Sequence, residues 1–212
     1  MTLWLLFMQI WCYRHGYLFI KISIMNLRCF IAIEIPGQIK REIGELIDIL
    51  KKHDVDVKWI TTENLHLTLK FLGTTAEELI PKMRESLSGI VSSYEPFYIK
   101  IYGTGLFPNR KYPRVIWVGV EGSEILAKLG GDIDDAMSLF GYQKEDKEFR
   151  PHLTIGRVRS PKGMLSIVNE LENFKNKDFG AISVDRVKLM KSELKSKGAE
   201  YTCLQDLPFR RE

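Results

Sequence analysis

The sequence predicts a fold of two similar lobes, each mixing strands with helices, that face each other across a groove. Three observations predict it. The segment Leu65-His66-Leu67-Thr68-Leu69-Lys70 returns as Pro151-His152-Leu153-Thr154-Ile155-Gly156, with His-Leu-Thr-aliphatic common to both. The copies stand 86 residues apart, and the same offset carries Cys29 to Val115, Thr75 to Pro161 and Phe97 to Ser183, each pair in elements of like kind. The order strand, helix, motif strand, helix, strand is therefore met twice. An internal repeat of one supersecondary unit reads as two lobes related by an approximate two-fold axis, here with halves at about 25–112 and 113–208.

Composition bounds the answer. The 212 residues are long enough for a substantial core, and 45% hydrophobic with 27% charged residues is ordinary for a globular chain. The net charge of +4 is too mild to argue nucleic-acid binding by itself, but it permits an anionic ligand. Cys12, Cys29 and Cys203 are widely spaced and form no Cys-x-x-Cys, which excludes a disulfide framework and fits a reducing cytoplasm.

Residues 1–24 are rich in Trp, Leu and Ile but lack the basic start and small-residue cleavage site of a signal peptide. Gln9, Arg14, His15 and Lys21 interrupt any membrane span. This stretch reads as a non-native or mis-called extension, with a weak membrane anchor as the lesser alternative; the domain proper is 25–212. Arg28 to Ile35 is a buried strand closed by Pro36-Gly37. Ile39, Ile43, Leu46, Ile47 and Leu50 then recur at helical steps. The first motif strand is expected to end at Gly73. A helix over about 75–93 buries Leu79, Ile80, Met83, Leu87, Ile90 and Val91, and a strand covers about 97–105. Val115 to Val120 begins the second half. The helix to about Phe140 turns Ile125, Leu126, Leu129, Ile133, Met137 and Phe140 inward, with Gly130-Gly131 weakening its middle. After the second motif strand come a helix over about 162–174, a strand over about 182–190, and a hairpin through Lys195-Ser196-Lys197-Gly198 into Tyr201 to Leu204.

Strand parity sends His66 and Thr68 to one face and Leu67 and Leu69 to the other, and likewise separates His152 and Thr154 from Leu153 and Ile155. The imidazole and hydroxyl of each strand are about 6.7 Å apart. An imidazole titrates near 6.5, so one of a pair can be neutral while its partner is protonated, as acid–base catalysis requires. Two hydroxyls can hold an anion without a competing charge. Basic residues cluster nearby: Lys58 and Lys70 around the first motif, Arg150, Arg157 and Arg159 around the second, and Arg110, Lys111 and Arg114 between. Lys70, Arg110, Arg114, Arg150 and Arg157 are the candidates for substrate binding. Arg157 lies three residues past Thr154, on the wrong face by strict parity. Tyr112 and Trp117 could stack on a base, although the apolar surroundings of Trp117 favour the core.

These motifs resemble the 2H phosphoesterase superfamily, named for paired His-x-Thr/Ser-x motifs. The longer stretches Cys29 to Glu34, His66 to Gly73 and Arg150 to Val158 resemble the RNA 2′,3′-cyclic phosphodiesterases, also called 2′-5′ RNA ligases, over about 27–208. The resemblance implies an α+β bilobal fold, with mostly antiparallel sheets, outer helices and one motif from each lobe in a central groove. It implies opening of a ribose 2′,3′-cyclic phosphate to a 2′-phosphate without metal or cofactor. His66 would be the proton donor, His152 the proton acceptor, and Thr68 and Thr154 the phosphate holders. The implied partner is RNA with a cyclic phosphate end, tRNA fragments among them, acted on by a monomer with no stable membrane partner.

Rival readings are a metal hydrolase, for which neither motif offers a carboxylate at ligand spacing, and a non-catalytic RNA-binding module, which leaves the matched His-Thr pairs unexplained. A 2H-type hydrolase of a small cyclic nucleotide or ADP-ribose cyclic phosphate would use identical chemistry and stays open.

Overall fold

The computed structural model describes residues 26–121, 124–146, 148–196 and 198–210. The extension read at 1–24 lies outside the described residues. Among those described, no helix is long and apolar enough to cross a membrane.

Among the described residues, nine strands form two antiparallel sheets. The first half contributes β1 (Asn26–Glu34), α1 (Gly37–Leu50), β2 (Val57–Trp59), β3 (His66–Ala76), α2 (Ile80–Val91) and β4 (Phe97–Phe107). The second contributes β5 (Val115–Glu121), α3 (Glu124–Ser138), β6 (His152–Val158), α4 (Met164–Glu172), β7 (Asp178–Val184), β8 (Arg186–Lys195) and β9 (Gly198–Pro208). The sheet orders are β3-β1-β8-β9 and β2-β6-β5-β4-β7. This is a mixed α+β fold.

Sheet membership does not follow the halves. β4 crosses to lie beside β5, and β8 crosses to lie beside β1. The helices cross as well: α1 packs on β7 and α4 on β4, while α3 packs on β3 and α2 on β8 and β9. Each sheet is thus covered by one helix from each half. In sheet order β1, β3, β8 and β9 match β5, β6, β4 and β7. The repeat survives as an exchange of corresponding elements.

The stripe of α1 is buried as its spacing predicts, through Ile39, Ile43, Leu46, Ile47 and Leu50. On α3 Leu126, Leu129, Ile133 and Met137 are buried, but Ile125 is exposed. Two element readings need correction, and one further strand, β2, lay outside the elements read from the sequence. β2 is a strand because its three residues pair with Val158, Arg157 and Gly156 of β6. β3 runs past Gly73 to Ala76, and α2 starts correspondingly later, because Gly73 takes a positive φ of 69° that the ladder absorbs as a bulge. The strand expected at 182–190 is two strands, β7 and β8, divided at Asp185.

Bulges also decide what the motif strands present. In β3, Ile31 pairs with Lys70 and Ala32 with Thr68, leaving Leu69 as the extra residue. In β6, Ile116 pairs with Gly156 and Trp117 with Thr154, leaving Ile155 extra. The two bulges occupy the same position, one residue after the threonine. An extra residue reverses the alternation beyond it. Leu69 and Lys70 are both buried, as are Ile155 and Gly156, and Phe71 and Arg157 return to the exposed side.

Candidate active site

His66 and His152 each open their strand, and each is held in the same way. Nδ1 of His66 lies 2.7 Å from the carbonyl oxygen of Asn64, and Nδ1 of His152 lies 2.7 Å from that of Arg150. A carbonyl only accepts, so Nδ1 carries the proton in both rings. Nε2 is then left in each ring as the atom that can take up or release a proton. The Asn64 side of this clamp is itself fixed, because its Nδ2 donates to the carbonyl of Ala199 on β9 at 2.7 Å.

The surroundings of the two rings differ. His66 lies 4.7 Å from the ring of Phe30 and 5.2 Å, edge-on, from Tyr201. It lines a pocket of about 300 Å³ with these two, Lys40, Lys188 and Cys203. Burial holds its imidazole below the usual range; the Asn64 carbonyl opposes this, and the charges of Lys40 and Arg157 add to it. His152 meets the edge of Phe107 at 5.0 Å, and Phe107 lies 5.1 Å from Trp117.

β3 and β6 adjoin one another. Thr68, His152, Thr154 and Arg157 line one groove of about 890 Å³. His66 stands in the adjoining smaller pocket, and Arg157, which lines the groove, is close enough to act on both His66 and Tyr201. Both threonines are half-buried, and among the described residues neither hydroxyl has a protein hydrogen-bond partner. The arrangement offers two hydroxyl donors, a guanidinium and the Nε2 of His152 along one groove, with the Nε2 of His66 in the pocket beside it. This can bind an oxyanion and move protons on either side of it.

The basic candidates separate. Arg150 and Arg157 line the groove, and the bulge at Ile155 brings Arg157 round against strict parity. Lys70 also borders it, but its amine is engaged beneath: Nζ pairs with Asp134 and donates to the carbonyl of Gln143 at 2.7 Å. Its side chain is buried, so it does not present a free cation to a substrate. Arg110 pairs with Glu172 on α4, and neither it nor Arg114 lines the groove. Trp117 is half-buried and packs over Gly105, and Tyr112 is exposed away from the groove lining.

A model of the 2′-5′ RNA ligase superfamily matches residues 36–195. The chain belongs to that superfamily. It is 38% identical over 180 residues to the RNA 2′,3′-cyclic phosphodiesterase of Methanocaldococcus jannaschii, covering 85% of this chain and 99% of the relative. It is 34% identical over 181 residues to the protein of the same name from Methanothermobacter thermautotrophicus, covering 85% and 98%. Among solved structures, TT0787 of Thermus thermophilus superposes with a TM-score of 0.75 at 28% identity, over 88% of this chain and all of that one. Escherichia coli LigT complexed with 3′-AMP shares the fold at a TM-score of 0.66 and 22% identity, over 88% and 100%.

Around the superfamily's paired motifs, the structure adds residues that sequence reasoning passed over. Phe30, Phe107 and Tyr201 pack on the imidazoles, and Phe71 and Phe149 line the groove. An aromatic residue in a strand pattern reads as core, so these carried no separate signal. The one available hint was the repeat, since Phe71 stands where the second motif has Arg157.

Proposed function

We propose that the protein opens the 2′,3′-cyclic phosphate at RNA ends to a 2′-phosphomonoester. The observation that carries this reading is the matched clamp, in which each motif histidine gives its Nδ1 proton to a backbone carbonyl and keeps Nε2 for chemistry. The names of the relatives at 34% and 38% identity support the choice of substrate.

A water oxygen attacks phosphorus while Nε2 of His152 takes its proton. The phosphorus–O3′ bond breaks, and Nε2 of His66 gives its proton to O3′. Thr68 and Thr154 donate to the non-bridging oxygens, and Arg157 balances their charge. Exchange with solvent then restores both imidazoles. Burial, with the charges of Lys40 and Arg157, disfavours the His66 cation; the negative charge of a bound phosphodiester counters them and restores the acid. With an RNA 5′-hydroxyl in place of water, the same step joins a 2′-5′ phosphodiester. RNA fragments, those of tRNA among them, are the proposed substrates, acted on by a monomer in the cytoplasm, where widely spaced cysteines stay reduced.

The test is hydrolysis of oligoribonucleotides ending in a 2′,3′-cyclic phosphate, in EDTA, with 2′- and 3′-phosphate products resolved. A 2′-phosphate product with activity that falls as salt rises is expected, because counterions compete for phosphate contacts. A small cyclic nucleotide as the true substrate would show little salt dependence. Activity abolished by EDTA and restored by zinc would overturn the mechanism.

A further inference from the structure

Among the described strands β2 alone has no counterpart in the repeat. The motif strand β3 is the edge of its sheet, whereas β6 is flanked on its outer side by β2. Lys58 is the middle residue of β2 and stands directly opposite Arg157. The same rung continues across the sheet to Val115 and Phe107, and Arg157, Val115 and Phe107 all line the groove. Directly paired residues project from one face of a sheet, so Lys58 is the outer end of that row. Gly156 marks the other face, because a Cβ there would meet Val57 at 2.8 Å and Trp59 at 3.1 Å. Lys58, between those two, points to the side of Thr154 and Arg157.

The neighbouring rung of this ladder is complementary, with Nη1 of Arg159 3.9 Å from the Asp56 carboxylate. The Lys58–Arg157 rung instead sets two cations opposite each other, an arrangement that is destabilising by itself. Lys58 is exposed, and among the described residues neither side chain forms a hydrogen bond or an ion pair. A lysine on an edge strand also discourages pairing with other chains. That purpose is served on any rung and does not call for a cation facing Arg157.

We infer that Lys58 binds the phosphate on the 5′ side of the terminal nucleotide, so that the groove takes a chain end in preference to a lone cyclic nucleotide. In that nucleotide the scissile phosphorus and the 5′ phosphorus are separated only by O3′, C3′, C4′, C5′ and O5′. Thr68, Thr154 and Arg157 take the first. The cation one strand farther out, about 4.8 Å away, takes the second. The bound phosphate offsets the repulsion within the rung. A contact of this kind positions the chain and reads no base. The inference rests on the cyclic-phosphate reading only for where the scissile phosphate lies.

The experiment is calorimetric titration of the full-length protein with adenosine 2′-phosphate and with adenosine 2′,5′-bisphosphate, which adds only the 5′ group. Wild type is expected to bind the bisphosphate about tenfold more tightly, as one charge-assisted contact allows. Lys58→Met keeps the aliphatic stem and removes the charge. It should abolish that advantage and change adenosine 2′-phosphate binding by less than about twofold at physiological ionic strength, where exposed charges are screened. Lys58→Arg should keep the advantage. Lys58→Met should melt no lower than wild type, since it relieves a like-charged rung; that separates lost binding from unfolding. With a single-stranded oligonucleotide, the slope of log affinity against log salt should shrink by roughly 0.7 in Lys58→Met, the share of one phosphate contact. Equal weakening of both ligands, no weakening of either, or a wild type that binds the bisphosphate no more tightly would overturn the subsite. Absent hydrolysis of cyclic phosphates with the 5′ advantage intact would instead sink the hydrolase and leave the subsite standing.

Discussion

β3 and β6 share a motif, a clamp and a bulge, and then diverge at the next two residues. At the bulge β3 has Lys70, whose amine reaches Asp134 on α3; β6 has Gly156, where a Cβ would come within 2.8 Å of Val57 on β2. The first strand is therefore pinned by a buried ion pair and the second is roofed by a short strand. At the following position β3 puts Phe71 into the groove and β6 puts Arg157 there. The repeat supplies two imidazoles held by the same backbone clamp. Divergence immediately beyond them made one side of the groove apolar and the other cationic, and buried one imidazole more deeply in aromatic rings. The difference teaches that the clamp is common to both copies, while the residues after the bulge set the surroundings of each.

The largest test of that equivalence is at the histidines. His66→Ala and His152→Ala should each lower the rate by about 10²–10⁴, and the double variant should lose little more, because the pair acts as a unit. Thr68→Val and Thr154→Val keep shape and remove the donor, so each should raise the barrier by a smaller amount, about 1–3 kcal/mol. Single-turnover rates on a cyclic-phosphate oligonucleotide measure all five. Full activity in either histidine variant would end the two-site reading.

The next test breaks the pin on one strand only. Lys70→Met leaves the Asp134 carboxylate and the Gln143 carbonyl without their partner. With Asp134 still partly reached by solvent, the cost should be about 2–3 kcal/mol, at or below the range for a broken buried pair. Adding Asp134→Leu should recover most of it, since replacing both charges removes the stranded one. Urea denaturation decides; a single variant as stable as wild type would show that the pin contributes nothing.

The smallest effect distinguishes the imidazoles by pH. The folded state holds His66 below its ordinary value, so between that lowered value and about 6.5 the unfolded chain binds more protons than the folded one. Stability from this group is complete above about pH 6.5 and is lost as pH falls through the lowered value. His66→Phe keeps a ring beside Phe30 and Tyr201 and abolishes the titration. The slope of stability against pH below 6.5 should flatten in that variant, and an unchanged slope would show that His66 is not held neutral by its pocket.

Much of this was legible in the sequence, and the rest was hidden for physical reasons. Periodicity reports which face of an element is greasy, and it placed the stripe of α1 and the faces of His66-Thr68 and His152-Thr154. It says nothing about which sheet a strand joins, so the exchange of β4 and β8 was invisible. Three residues cannot show an alternation, so β2 was missed. A bulge depends on how two strands register, not on either alone, which is why Arg157 read as facing away and Lys70 as facing the ligand. Tyr201 reaches His66 from a strand that begins more than 130 residues later, a contact no local pattern encodes.

The crossing of β4 and β8 bears on how the chain folds as it is synthesised. β1 is among the first described strands to leave the ribosome, but its second edge pairs with Lys188 to Lys191. Until those residues emerge, the edge of β1 that includes Ile31 has no partner, and the turn that positions the His66 carbonyl clamp lacks its tie to Ala199. An N-terminal half released alone would present an open apolar strand edge, the kind that pairs with other chains. Long-range pairing of this kind is slow to find. The open edge of β1 is therefore covered only once β8 has been translated, and the tie that steadies the turn before His66 forms only with the last strand.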